Sequence, residues 1–366
     1  MYIKEIELKN FRNYEDIKLD FHEKINIFVG NNAQGKTNLI EGVYVTSFGR
    51  SFRSGKDNQM IKFGEEFCKS KVYAVRDEDE TSVVEVLIGE SEKGVKVNGV
   101  KIKKMQELLE NILIVVFSPD DLKIVKGDPE KRRRFMDREL SQIRPSYYSE
   151  LSSYRKIISQ RNALLKEKDV KEDVLEVWDE KLIDYGVKII DKRKDFIEKI
   201  NRISKEIHSD ITNRKEDLKI IYDSYVEFEG NVAENFKLKL EKNRKKEMFR
   251  GSTETGPHRD DLKIISNGID IVKYGSQGQQ RTAALSLKLA ELKLIKEEKD
   301  EEAILLLDDV LSELDKERQN YLINSLENNQ IFITTTDISD DLKEKLPKGY
   351  TFTVKNGIAE RISFPL

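Results

Sequence analysis

The chain has 366 residues, 38% of them hydrophobic and 36% charged, with a formal net charge of −3. That length and composition allow more than one domain and a sizeable core, and the near-neutral balance excludes a uniformly basic nucleic-acid binder, so any DNA contact needs a local patch. One cysteine, Cys68, excludes a disulfide framework and a cysteine-based zinc site; with no apolar run of about 18 residues and a charged start, "MYIKEIELKN", the expectation is a cytoplasmic protein with no membrane partner.

The first hundred or so residues read as strand-rich. "YIKEIEL" mixes apolar and charged residues as a strand does, and "INIFV" (25–29) has the character of a short buried strand. "VVEVLI" (83–88) precedes "GVKVNGVKI", whose Asn98-Gly99 pair predicts a two-residue hairpin turn. "ILIVVF" (112–117) reads as another buried strand. Near Pro119 the character changes, and from about 129 to 249 the chain is rich in lysine and glutamate at helical spacing. Leu182, Ile189, Phe196, Ile200, Ile203 and Ile207 fall on steps of three, four or seven, an apolar seam of about three heptads. That is too short for a coiled-coil rod and fits a compact helical lobe, with Trp178 expected in its core. Strand and turn character returns after 250. "LKIISNGIDI" (262–271) carries a second Asn-Gly turn, and Ala284, Leu287, Ala290 and Leu294 mark the apolar face of a helix. The strands 303–307 and "QIFITT" (330–335) and a hairpin "TFTVKNGIAERI" follow. The organisation predicted is an α/β body assembled from residues 1–117 and 250–366, split by a mainly helical lobe at 118–249.

Two motifs carry chemistry. "GNNAQGKT" (30–37) fits G-x-x-x-x-G-K-[ST] at every fixed position, directly after the strand 25–29 and before the helical "NLIEGVY". Gly30 and Gly35 let the backbone turn so that amides across Asn31, Asn32, Ala33 and Gln34 face phosphate oxygens. Lys36 would add a point charge for the β- and γ-phosphates of ATP, and the Thr37 hydroxyl would ligate Mg2+. The second motif is "AILLLDDVLSELD" (303–315), a buried strand ending in adjacent carboxylates. In P-loop proteins a strand ending in such a carboxylate is expected beside the P-loop strand, so Asp308 is read as the second magnesium ligand. Asp309 is placed to orient or deprotonate the attacking water. Asp308 lies 272 residues after Lys36, far more than a small kinase or GTPase needs, so the nucleotide fold must draw on both ends of the chain.

These residues carry a resemblance. "YGSQGQQR" (274–281) resembles the signature loop of ABC-type ATPases, "LSELD" (311–315) their D-loop, and "LKNFRNYED" (8–16) the entry strand of SMC-like heads. "TGPHRDD" (255–261), "SPDDLKIVKGDPEKRRRFMD" (118–137) and "GRSFR" (49–53) resemble the RecF family of bacterial recombination mediators, and the likeness runs over essentially the whole chain. It implies an ABC-type P-loop ATPase head that binds ATP and Mg2+ and pairs with a second copy. Ser276 and Gly278 would then meet the γ-phosphate held by the partner copy, and Arg12 would reach phosphate. It also implies binding to duplex or gapped DNA, RecR and RecO as partners, and help in loading RecA in DNA repair, recombination and the SOS response. Arg50, Arg53 and Lys56, in a serine- and glycine-rich loop, are the candidate DNA contacts.

Departures from the family pattern carry expectations of their own. Asp309 stands where related heads usually have glutamate, which implies slow hydrolysis. The usual switch histidine is missing from "ITTTD" (333–337), where Thr336 is the choice over Thr334 and Thr335. Ser118 to Asp121 occupy the region of the usual Q-loop glutamine, which has no clear counterpart. The run Lys131 to Arg134 is read as an anchor of the lobe by salt bridges, and His258 as a structural residue beside Arg259. Three other readings stay open: an ABC transporter ATPase subunit, marked by co-purification with a membrane subunit; an SMC-type chromosome-structuring ATPase, which needs far longer heptad arms; and an overcoming-lysogenisation-type nuclease, marked by magnesium-dependent DNA cutting.

Overall fold

The computed structural model describes residues 1–76, 80–121, 123–167, 172–326, 328–337, 346 and 348–362. The chain opens with strands β1 (Tyr2–Phe11), β2 (Tyr14–Asp20) and β3 (Ile25–Val29), then helix α1 (Lys36–Phe48). Strands β4 (Phe67–Val75), β5 (Thr81–Gly89), β6 (Lys93–Val97) and β7 (Val100–Lys101) follow, then α2 (Met105–Leu109) and β8 (Ile114–Phe117). The middle holds α3 (Lys123–Lys126), α4 (Pro129–Ile143), α5 (Pro145–Leu164), α6 (Glu172–Ile211), β9 (Leu218–Asp223), α7 (Val232–Arg250), β10 (Asp261–Ser266), β11 (Ile269–Asp270) and α8 (Ile271–Tyr274). Helix α9 (Gln277–Lys299), β12 (Ile304–Asp308), α10 (Lys316–Asn324), β13 (Ile331–Thr335), β14 (Gly349–Lys355) and β15 (Ile358–Ile362) complete it.

The first body comprises Met1–Leu122 and Lys288–Leu366. It contains two six-stranded sheets, β2-β1-β4-β5-β6-β7, which is antiparallel, and β15-β14-β3-β13-β12-β8, parallel except for β15. Every residue of β12 and β13 is buried, which explains their uninterrupted apolar runs: a central parallel strand is covered on both faces. Helix α1 buries residues on all sides and touches β1, β4 and β5 of one sheet and β8, β12 and β13 of the other. A helix apolar all round is a core helix. Gly42 permits its close approach, because a Cβ there would lie 2.6 Å from Leu8 Cδ2. The chain ends are clamped by Gln330, whose side chain accepts from Ile3 N and donates to Ile3 O, both at 2.7 Å.

One expectation about topology is corrected. The strand carrying Asp308 does not lie beside the P-loop strand: β13 pairs with β3 on one side and β12 on the other. The parallel sheet therefore places the first "ITTTD" threonine, Thr334, between the two motifs.

The second body comprises Lys123–Leu287. The apolar seam on α6 holds, with Leu182, Ile189, Phe196, Ile200, Ile203 and Ile207 all buried. Two details differ. The predicted lobe ended at 249, but 218–223 is a strand, and β9 pairs antiparallel with β10 in a three-stranded sheet β11-β10-β9. That ladder keeps residues 250–287 with the helices. Trp178 is half-buried rather than core, with Lys181 Nζ 4.9 Å from its ring centroid. Both Asn-Gly turns form as predicted, Asn98-Gly99 and Asn267-Gly268 having positive φ throughout.

"TGPHRDD" braces this body. Asp260 is buried and accepts from Arg193 Nη1 at 3.1 Å, from Tyr225 N at 2.7 Å and from Tyr222 Oη. The Pro257 carbonyl also accepts from Arg193, at 2.6 Å. His258 lies between Tyr154 Oη (2.9 Å from Nδ1) and the Thr253 carbonyl (3.0 Å from Nε2). Gly256 has φ 129°, and a Cβ there would sit 2.3 Å from Tyr154 Oη. Gly256→Ala is expected to destabilise the second body by roughly 2–5 kcal/mol through backbone strain and overpacking, read as a lower urea midpoint in chemical denaturation.

Candidate functional site

The site grows from the end of β3. The P-loop backbone turns through Ala33 (φ 65°) and Gly35 (φ 119°) into α1. Gly30 must lack a side chain because a Cβ would lie 2.3 Å from the Val354 carbonyl oxygen, and one at Gly35 would lie 2.6 Å from Asn13 Nδ2. Asn13 and Tyr14 hold the loop from below: Asn13 Nδ2 donates to Gln34 O at 2.9 Å and Tyr14 Oη to Gly35 O at 3.1 Å. Burial raises the Tyr14 hydroxyl pKa further above neutral pH. From above, Asn356 N donates to Gln34 Oε1 at 2.9 Å. Asn31, Asn32 and Ala33 are exposed, while Lys36 is buried and its Nζ donates to the carbonyls of Gly30 (2.6 Å) and Asn31 (3.1 Å). Helix α1 has no side-chain cap and no acidic residue in its first turn. Its N-terminal amides thus form a ready anion cradle.

Thr37 Oγ1 donates to Asp308 Oδ1 at 2.7 Å, and Thr334 Oγ1 donates to the same oxygen at 2.8 Å. Asp308 is buried, and burial pushes its carboxyl pKa up, with the Asp309 charge adding to the rise. The two hydroxyls and the Arg53 charge only partly offset this. A carboxylate left in that position favours a cation. Among the described residues no three His, Cys, Asp or Glu side chains group as a metal site. The residues fit magnesium nonetheless: Thr37 and Asp308 would supply the one or two protein oxygens such an ion needs at a phosphate site.

Asp309 has φ 54°, an uncommon conformation for a residue with a side chain. It is pinned by its own N–H, which donates to Thr334 O at 3.2 Å and lies 3.0 Å from Thr334 Oγ1. Thr334, rather than the chosen Thr336, therefore contacts both carboxylate residues; Thr336 is exposed. The tie to Asp308 was not legible because three consecutive threonines gave no sign of which faced inward.

Other predicted site residues are distributed differently. Arg12 is locked onto Glu41, which is fully buried: Nε and Nη2 donate to its two oxygens at 2.8 and 2.7 Å, and Nη1 donates to Gln59 O at 2.6 Å. This geometry neutralises a charge inside α1 and commits the guanidinium there. Arg53 Nη1 donates to Asn38 Oδ1 at 2.9 Å, beside the first turn of α1, while Arg50 and Lys56 are exposed. Ser118 N and Oγ both donate to Asp121 Oδ2 at 2.8 Å. In the second body, Ser276 caps α9 reciprocally with Gln279: Gln279 N donates to Ser276 Oγ at 3.2 Å and Ser276 N to Gln279 Oε1 at 3.0 Å. Ser276 is exposed and Gly278 half-buried.

Fold and site together define a P-loop head of the ABC/SMC type. Residues 2–357 match the RecF/RecN/SMC N terminal domain family. The chain is 47% identical to the DNA replication and repair protein RecF of Alkaliphilus oremlandii (strain OhILAs), over 95% of this chain and 96% of that one. It is 43% identical to that of Clostridioides difficile (strain 630), covering 98% and 97%. A solved structure of the recombination mediator protein RecF-ATP superposes with TM-score 0.91 at 40% identity, over 99% and 98% of the two chains. An Smc head bound to the C-winged helix domain of ScpA has the same fold at TM-score 0.57 and 16% identity. The chain belongs to the RecF family, and the expected ATPase-head fold is borne out. Among the described residues no helix is long and apolar enough to cross a membrane.

The raised Asp308 pKa has a measurable sign. Ionising this carboxyl costs more in the folded state than in the unfolded chain, so its stability penalty is absent below the ordinary Asp pKa and complete above the raised one. Asp308→Asn, which keeps an acceptor for both threonines, is expected to raise the melting temperature of the nucleotide-free protein at pH 8. That advantage should vanish toward pH 3.5, with magnesium-dependent nucleotide binding lost; differential scanning fluorimetry across pH checks it.

Proposed function

We propose that the chain is a magnesium-dependent ATP switch that joins two copies of itself on duplex or gapped DNA and parts them by slow hydrolysis. The observation that carries this reading is the 2.7 Å bond from Thr37 to Asp308 beneath the uncapped start of α1. It supports a triphosphate site whose cation ligands are already together. The amides from Asn31 to Gly35 and the N-terminus of α1 bind the phosphate chain. Lys36 leaves the loop carbonyls for the β- and γ-phosphates. Thr37 and Asp308 would hold magnesium, which would supply positive charge against that developing on the phosphate groups.

Asp309 orients the attacking water and receives its proton. Its short side chain reaches less far than a glutamate, which supports slow turnover. Ser276 and Gly278, at the start of α9, present a hydroxyl and free helix amides to the γ-phosphate bound by the partner copy. Pairing then joins the modest basic loops around Arg50, Arg53 and Lys56 into a longer phosphate-binding track. In the cytoplasm such a clamp would work with RecR and RecO to help load RecA on gapped DNA, and hydrolysis would release it.

Sedimentation with ATP, ADP and no nucleotide, with and without a short duplex, tests the reading. ATP is expected to double the particle mass. Lys36→Ala should abolish both binding and pairing, whereas Ser276→Arg should keep nucleotide binding yet remain single. Pairing by the Ser276→Arg chain would sink the facing-loop arrangement. Asp309→Asn should hold the paired state and lower turnover at least about a hundredfold, measured by phosphate release; undiminished turnover would assign the base elsewhere.

A further inference from the structure

The second body contains a cavity of about 140 Å³ that the nucleotide site does not use. Its lining includes Arg133, Arg134, Arg155 and Arg193, together with Tyr154 and His258. Glu130 and Asp137 are the acidic groups on its wall. These charges do not cancel. Arg193 and Arg155 share Asp137, Arg193 Nη2 lying 2.8 Å from Oδ1 and Arg155 Nη2 2.9 Å from Oδ2. Tyr147 Oη also donates to Oδ1, at 2.6 Å, so both oxygens of Asp137 are taken. Arg134 pairs with Glu130 one helical turn away, at 2.5 Å. Asp260, behind the cavity, takes a second bond from Arg193.

Arg133 is left without a carboxylate. Its Nη1 donates to the Asp260 carbonyl at 2.7 Å, and it makes no ion pair among the described residues. Burial, and the Arg193 charge next to it, hold the Arg133 pKa below its ordinary value, and the charges of Asp261, Asp260 and Glu130 only partly offset this. The anchoring by salt bridges expected of the run Lys131 to Arg134 thus falls to Arg132, bound to Asp261 at 2.6 and 2.9 Å, while Arg133 turns to the cavity.

The remaining wall is neutral. Burial pushes the His258 pKa down to about 4. Its Nε2 faces the Thr253 carbonyl and so carries the proton, leaving Nδ1 to accept from Tyr154 Oη. Leu151, Ile189 and Pro257 add apolar surface. A low-dielectric wall strengthens any charge-assisted bond formed there. The volume is well below the roughly 300–1,000 Å³ of sites that enclose whole small molecules, so a single head group is the occupant. Several guanidinium forks around one small space suit a tetrahedral dianion better than a planar monoanion.

We infer that this cavity binds a phosphate monoester group, gripped by Arg133 and Arg155 and closed by Arg134. The ester could come from a small metabolite or from a phosphorylated DNA end, which share this chemistry. The test uses the full chain carrying Lys36→Ala, so that the P-loop does not answer for the cavity. Inorganic phosphate is titrated against sodium chloride at matched ionic strength, with melting temperature and 31P line width as readouts. A saturable rise in melting temperature is expected with phosphate alone. Arg133→Gln and, separately, the more exposed Arg155→Gln should each weaken the apparent affinity at least tenfold. An equal response in both variants, or none beyond that of chloride, would overturn the inference. Hairpin duplexes with a 5′-phosphate or a 5′-hydroxyl then separate the sources. A preference for the phosphorylated end that Arg133→Gln removes assigns the site to DNA ends; phosphate binding with equal hairpin affinities assigns it to small esters.

Discussion

The bond between Thr37 and Asp308 closes a loop of 271 residues, and the first body depends on it being closable. Thr37 follows the loop after β3, in the first turn of α1, and Asp308 ends β12, with β13 between the two strands, so neither motif is complete until both chain ends share one parallel sheet. Gln330, just before β13, helps to enforce that, its side-chain amide bonding both backbone groups of Ile3 in β1. Helix α1 packs against both sheets and is buried on all sides. The phosphate loop at its N-terminus is therefore held by the core. Contacts this distant in sequence carry a loop-closure cost that the packing of the shared sheet must offset.

Buried charges divide the molecule into places that are finished and places that call for something more. Glu41 lies inside α1, but Arg12 meets it with both forks and Ser51 adds a hydroxyl. Arg161 in the second body is met by Asp179 at 2.6 Å and Glu247 at 2.7 Å. In these pairs each buried charge meets an opposite one, and removing one partner would leave an uncompensated charge. Asp308 is different, since its direct partners are two neutral hydroxyls. Arg133 is the positive counterpart, with one neutral carbonyl. Asp308 is buried and Arg133 half-buried, so water settles the deficit least at Asp308.

Much of this was legible in the sequence. The P-loop strand 25–29 and both Asn-Gly turns form at the predicted residues, because a short apolar run before glycine and a pair of positive-φ residues leave few choices. The α6 seam was equally plain. What escaped notice required tertiary context. Strand β9, "LKIIYD", is short and flanked by lysines and glutamates, and its partner lies beyond α7. Without that partner its six residues read as more of the helical lobe, and the boundary fell near 249 instead of 287. Arg12 shows the same limit. Its motif marked it for phosphate, but only the folded chain reveals that Glu41 is buried within reach and must be neutralised first.

Gln279 links the signature loop to the interior of its body. Its amide oxygen caps Ser276, and its Nε2 reaches Glu216 Oε1 at 3.4 Å. Glu216 Oε2 lies 3.3 Å from Nε2 of His208, a residue sealed inside the α6 seam, whose Nδ1 lies 3.1 Å from Ser286 Oγ on α9. The conformation of Ser276 is thus referred to the packing of α6, just as Thr37 is referred to β12 and β13. A reciprocal cap satisfies amides that a helix terminus otherwise leaves open, and it can exchange them for phosphate oxygens without exposing new polar groups. Each half of the proposed composite site is thus tied to its own body by hydrogen bonds, and Lys36 and the Ser276 cap are the groups that would exchange partners when nucleotide arrives, so ordering of other side chains would not be charged against the proposed pairing.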